Sequence, residues 1–96
     1  MLFVVIERFR GTSVSEAYWR FKEHGRLAPA ELKTLGSWVT ADLSRCFQIV
    51  ETEDPSCIQR WVANWVDLIE FEIFPATDGS VVAQLFTDGP EAARLG

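Results

Sequence analysis

The chain has 96 residues and a net charge of −5, and its 48% apolar content includes four Trp and seven Phe; this is the make-up of one small acidic domain. Its Lys and Arg residues are scattered singles, so the basic footprint of a nucleic-acid or anionic-membrane surface is missing. A domain of this size buries roughly 60–65% of its unfolded surface on its own, and the aromatic surplus points to burial beyond a monomer.

Residues 2–9 form an apolar run that reads as a central strand. Ser13 and Glu16 have the spacing of a capping box ahead of a helix whose apolar face is Val14, Ala17, Tyr18 and Phe21. Gly25 fits the stop of that helix just after His24. A connector over 26–33 leads to strands at about 34–40 and 45–52, joined by a polar turn at 41–44. A three-residue loop at 42–44 sets Trp38 opposite Gln48 and Thr40 opposite Cys46, with Val39 beside Phe47 on the other face. Asp54 and Pro55 have the chemistry of an N-cap and a first helical residue. Ile58, Trp61, Val62 and Trp65 then recur at three and four, as the buried stripe of a second helix. Ile69, Phe71 and Ile73 alternate with Glu70, Glu72 and Phe74 in a last strand over about 69–75. Asp78 can cap a short helix through Phe86, and residues 87–96 read as a mobile tail.

Strand, helix, strand, twice over, is the α+β ferredoxin-like βαββαβ order. It gives a four-stranded antiparallel sheet of strand order 4-1-3-2 with both helices on one face. The domain proper is residues 1–76, with 77–96 as a short helix and tail. The second face of the sheet has no cover within the chain, so a homodimer through that open face is expected.

Three stretches, MLFVVIERF, SWVTADLSRCFQIVETEDP and WVANWVDLIEFEIFP, resemble a small bacterial domain family of unknown function in the dimeric α/β-barrel superfamily. The resemblance covers residues 1–76. It implies two sheets packed face to face across a dimer, in a superfamily whose relatives include cofactor-free monooxygenases, muconolactone-isomerase-like proteins and haem-handling enzymes. The family itself supplies no catalytic residue to carry over. Strand one lacks the Asn and Trp pair of the monooxygenases, and His24 sits at a helix end, away from a haem position in the cleft; both lower an enzyme reading.

Parity assigns Val39, Phe47, Ile49, Ile69, Phe71 and Ile73 to the helix side of the sheet, with Leu2, Val4 and Ile6. The open side then receives Phe3, Val5, Glu7, Trp38, Cys46, Gln48, Glu72 and their neighbours. Glu7, Trp38, Cys46, Gln48 and Glu72 are therefore the candidate cleft-lining residues, an apolar set with a few polar groups, as in many small-molecule sites. A carboxylate desolvated there would have a raised pKa and could act as a general base. The plainer account, in which Glu7 pairs with Arg45 or Arg8 and Gln48 bonds across the dimer, weighs more, because buried polar groups are normally satisfied in that way.

His24 most simply complements a helix dipole, and Cys46 and Cys57 are two thiols without a partner base, best read as fillers. Two Cys and one His make neither a disulfide framework nor a zinc site. Glu51, Glu53 and Asp54 are explained by the helix start that follows them rather than by metal. Trp19 lies off the apolar helix face, as a contact surface or under the tail. No cofactor is implied. Met1 leads straight into a strand with no leader pattern, so a soluble cytoplasmic protein is expected. Three functions remain: a homodimeric domain binding a small molecule in the cleft under the sheet, a cofactor-independent monooxygenase- or isomerase-like enzyme, and a purely structural or interaction dimer.

Overall fold

A computed structural model describes residues 1–87. The elements in chain order are β1 (Leu2–Phe9), α1 (Val14–His24), β2 (Lys33–Val39), β3 (Arg45–Glu51), α2 (Ser56–Ala63), β4 (Ile69–Ala76) and α3 (Gly79–Phe86). The strands form one antiparallel sheet of order β2-β3-β1-β4, which read from the other edge is the expected 4-1-3-2. This is the ferredoxin-like arrangement, and the two βαβ halves lay α1 and α2 on one face. None of the described helices is long and apolar enough to cross a membrane.

Local chemistry explains most of the boundaries. Asp54 accepts from the backbone N–H of Ser56 at 2.9 Å, and Pro55 follows it with φ of −58°, so α2 starts as the Asp-Pro pair dictates. Asp78 caps α3 in the same way, through the N–H of Ser80 at 2.8 Å. The Ser13–Glu16 capping box does not form. Ser13 is buried and its hydroxyl instead donates to the carbonyl of Leu68 at 2.6 Å, tying the start of α1 to the start of β4. Here a tertiary acceptor holds the hydroxyl away from its local donor, the Glu16 N–H. Arg20 adds a second tie, a two-pronged ion pair with Asp67 at 2.7 and 2.8 Å. The expected tail over 87–96 lies, Thr87 apart, outside the described residues.

The β2–β3 hairpin departs from the expected register by one residue. Val39 pairs with Cys46, Trp38 with Phe47 and Ser37 with Gln48. The reason is the turn. Thr40 N–H bonds to the Arg45 carbonyl, leaving four residues in the loop, and the Asp42 carboxylate collects the Thr40 hydroxyl, the Ser44 N–H and the Ser44 hydroxyl at 2.6–3.0 Å. Leu43 takes up the reversal with φ of 63°. These bonds hold the Asp42 carboxyl down, at about 2. An irregularity between Thr34 and Gly36 shifts the pairing by one more residue at the far end, where Thr34 meets Val50 and Lys33 meets Glu51. Trp38 folds its indole over Gly36, where any Cβ would collide with the ring.

A slip of one residue exchanges the faces of a strand. Phe3, Val5 and Glu7 of β1, with Cys46, Gln48 and Val50 of β3, therefore lie on the helix side, whereas the parity argument had put them on the open side. Phe47, Ile49, Leu2, Val4 and Ile6 lie on the open side instead. The assignments of Val39, Ile69, Phe71 and Ile73 to the helix side, and of Trp38 and Glu72 to the open side, agree with the register. The core consists of Phe3, Val5, Val50 and Ile69 from the sheet against Ala17, Leu32, Cys57, Ile58, Trp61, Trp65 and Leu68. Trp61 meets Phe71 edge-on at 5.6 Å between ring centroids.

Candidate functional site

The helix side of the sheet is not fully packed. α2 and the turn that follows it bring two indoles, Trp61 and Trp65, onto the core, but α1 offers only Ala17 as a buried residue, and Tyr18 and Phe21 stay about half exposed. A small side chain on one helix opposite large ones on the next leaves a gap. The result is a cavity of about 120 Å³ walled by Phe9, Tyr18, Phe21, Trp61 and Trp65, with Glu7, Gln48, Cys46, Ser37 and Arg26 as its polar lining.

Glu7 is the central group. It is 5% exposed and has Phe71 and Cys46 as its strand neighbours. Its hydrogen-bond partner is a neutral amide: Gln48 Nε2 donates to Glu7 Oε2. Gln48 Oε1 in turn accepts from the Arg26 guanidinium at 2.9 Å. Burial pushes the Glu7 carboxyl up to about 7, against the opposing pull of the Gln48 bond and the more distant Arg26 charge. The Cys46 thiol, bonded to the Ser37 hydroxyl at 3.4 Å, is also pushed up, first by burial and then by Glu7. It stays a thiol at neutral pH and is no nucleophile here.

Arg26 reaches the cavity because its backbone is held on both sides. Gly25 ends α1 with φ of 70° and ψ of −156°, a conformation open essentially to glycine alone. The carbonyl of Arg26 accepts from Trp65 Nε1 at 2.7 Å, and that of Leu27, itself at φ of 56°, accepts from Asn64 at 2.9 Å. The guanidinium also lies 5.7 Å from the centre of the Phe21 ring.

Of the five residues proposed to line a common cleft, the structure brings Glu7, Cys46 and Gln48 together, on the helix side. Trp38 and Glu72 are on the opposite face, where Glu72 makes an ion pair with Arg8 and Trp38 is 60% exposed. Arg26, Tyr18 and Phe21 complete the site and were not singled out for it. The one signal for Arg26 was its place directly after the helix-ending glycine.

The acidic run divides as helix capping implies. Asp54 caps α2, while Glu53 pairs with the N-terminal ammonium at 2.9 Å. Among the described residues no three His, Cys, Asp or Glu side chains come together as a metal site.

A family model for a domain of unknown function, DUF3303, matches residues 1–89. Among solved structures, an uncharacterised NIPSNAP domain protein from Burkholderia xenovorans is similar over 80% of this chain and 95% of its own, with 15% identity and a TM-score of 0.51. That likeness is one of fold. A protein from Agrobacterium tumefaciens is similar over 80% and 94% of the two chains, with 12% identity and a TM-score of 0.46. No functionally curated protein matches the sequence.

Proposed function

We propose that this chain, which belongs to the DUF3303 family of domains of unknown function, binds a small apolar molecule in the cavity between α1, α2 and the sheet. The observation that carries this reading is Glu7: a carboxyl group almost wholly out of water, held by one neutral amide, on the wall of an aromatic-lined cavity. A residue kept only for stability would be apolar there, because an ionised carboxylate is costly to desolvate. An apolar cavity of ~150 Å³ holds benzene; at about 120 Å³ this site is somewhat smaller but open beside Tyr18 and Phe21, so a single ring with a small polar group can sit in it with one edge toward solvent. Benzyl alcohol is expected to quench the fluorescence of Trp61 and Trp65 saturably, and Ala17→Leu, which adds bulk to the cavity wall, to abolish the saturation. A linear, unsaturable response in the unsubstituted protein overturns the reading.

The same carboxyl favours one alternative, a cofactor-independent enzyme. A carboxylate with proton affinity near neutrality has the strength required of a general base, and Glu7 rather than Glu72 is then the candidate, since Glu72 is already paired with Arg8.

The assembly we propose is a homodimer through the open face. Trp38, Phe74 and Leu35 are exposed there or at its edge, beside the half-buried Val4, Ile6, Phe47 and Ile49. α3 supports the same partner. It has eight residues, fewer than the ~12–15 at which isolated helices become even marginal in water. It buries none of them, leaving Leu85 76% exposed. A second copy supplies the apolar cover that both surfaces lack among the described residues. Equilibrium sedimentation is expected to give a dimer at micromolar concentration and a monomer for Trp38→Glu combined with Phe74→Glu. A parent protein that sediments as a monomer refutes the assembly.

A further inference from the structure

We propose that the cavity is specific for a small monocarboxylic acid with an aromatic body, seated with its carboxyl group alongside the Gln48 amide, between Arg26 and Glu7. This deepens the binding function proposed above and rests on it.

The polarity of Gln48 is fixed by its two neighbours. Arginine has only donors, so the amide oxygen must face Arg26, and its NH₂ must then face Glu7, as found. The polar part of the cavity therefore accepts one pattern: an acceptor toward Arg26 and a donor toward Glu7. Gln48 meets that pattern with one carboxylate oxygen and one guanidinium nitrogen. Among the described residues Glu7 Oε1 and the remaining guanidinium N–H groups have no hydrogen-bond partner, and both side chains line the cavity. A carboxylic acid has the same acceptor–donor geometry as an amide: its C=O can take the Arg26 N–H and its O–H can reach Glu7. The two are planar and of nearly equal span, so the ligand group can lie parallel to the Gln48 amide. The ring then occupies the space walled by Phe9, Tyr18, Phe21, Trp61 and Trp65. An ammonium ligand fits poorly, because Arg26 already brings a cation to the site.

The arrangement fixes a proton count. Ligand and Glu7 cannot both be ionised at hydrogen-bond distance, so one proton is shared between them. Facing Glu7 are Arg26 from the α1–β2 connection, Cys46 from β3 and Tyr18 from α1, while α2, the turn after it and β4 present Trp61, Trp65 and Ile69. The Cys46 thiol and the Tyr18 hydroxyl are both pushed up, chiefly by burial. Glu7, at about 7, is therefore the group of this set that changes charge near neutrality. Binding of the anion takes up no proton where Glu7 is already protonated, and about one where it is ionised.

Benzoate, benzylammonium and benzyl alcohol titrated calorimetrically at pH 6 and pH 8, in buffers of unlike ionisation enthalpy, test this. Benzoate is expected to bind best at pH 6, to lose affinity by about tenfold per pH unit above pH 7 and to take up about one proton at pH 8. Glu7→Gln, which replaces the carboxyl by an uncharged amide of the same shape, should bind benzoate with no dependence on pH, and Arg26→Leu should weaken benzoate far more than benzyl alcohol. Benzoate binding equally at both pH values, or more weakly than benzylammonium, overturns the inference. So does pH dependence that survives in Glu7→Gln. Benzyl alcohol binding without benzoate defeats the acid specificity and leaves the cavity as a binding site, whereas failure of all three probes defeats both.

Discussion

Glu7→Gln is expected to stabilise the fold at pH 8 by up to about 3 kcal/mol and to change little at pH 4.5. The carboxyl titrates near 4.5 in the unfolded chain and at about 7 in the native one. Between those values the native state binds more protons than the unfolded state, so unfolding free energy falls as pH rises. The favourable contribution is complete below pH 4.5, declines through the window and is gone above 7. Glutamine preserves shape and can still accept from Gln48, but it carries no charge to desolvate. Other carboxyl groups act in the opposite direction. Asp42, Asp54, Asp67 and Asp78 are all held below their usual range by hydrogen bonds, so their contributions are lost as pH falls. The difference between variant and parent cancels these, provided protein concentration is fixed so that any association contributes equally. Urea unfolding at the two pH values is the measurement. A gain that is the same at both pH values, or a loss at pH 8, contradicts the burial of an ionisable group at this position. Under the binding function proposed above, that cost is stability traded for binding.

The second large effect is expected at Trp65. Truncation to Ala should cost ~3–5 kcal/mol, a large part of what a domain of this size has. Trp65→Phe should cost only about 1–2 kcal/mol, because it keeps most of the apolar contact and removes one donor. Trp65 is 5% exposed within the core, and its ring also carries the Arg20 guanidinium 5.5 Å from its centre. Its indole N–H is what holds the carbonyl of Arg26. Trp65→Phe is therefore informative beyond its stability. It frees the segment that presents Arg26, and the fluorescence or calorimetric response to benzoate should weaken more than the response to benzyl alcohol. Chemical denaturation separates the two substitutions. Equal costs for Phe and Ala would mean that the hydrogen bond, not packing, is the main tie at this position.

Much of the architecture could be read from the chain because each element has a strong local cause. The Ile58, Trp61, Val62, Trp65 stripe, the Asp-Pro start of α2, the Asp78 cap and the glycine stop of α1 are all local, and all are in the structure. Register is not local. It was decided by how many hydrogen bonds the Asp42 carboxylate could gather in the turn, and a β1 with apolar residues at every position from 2 to 6 could not correct the error from its own pattern. Glu7, Cys46 and Gln48 still emerged as a set, since cross-strand partners and alternate residues share a face whichever face that is. Arg26 was missed because a connector has no periodicity; its position follows from bonds to Trp65 and Asn64, distant in sequence. Ser13 shows the same limit on a smaller scale, its hydroxyl taken by Leu68 rather than by its own helix.

The alternation along β1 has a further consequence. Phe3, Val5 and Glu7 look inward, the first two into the core and Glu7 into the cavity, while Leu2, Val4, Ile6 and Arg8 look outward to the open side of the sheet. Neighbouring codons of one short segment thus govern unrelated properties. Natural drift can retune the interior without disturbing the exterior, and the reverse, so the ligand and the partner proposed above could change independently. Losing or gaining a single residue in the 41–44 loop would be different in kind, since it would threaten both inheritances in one event.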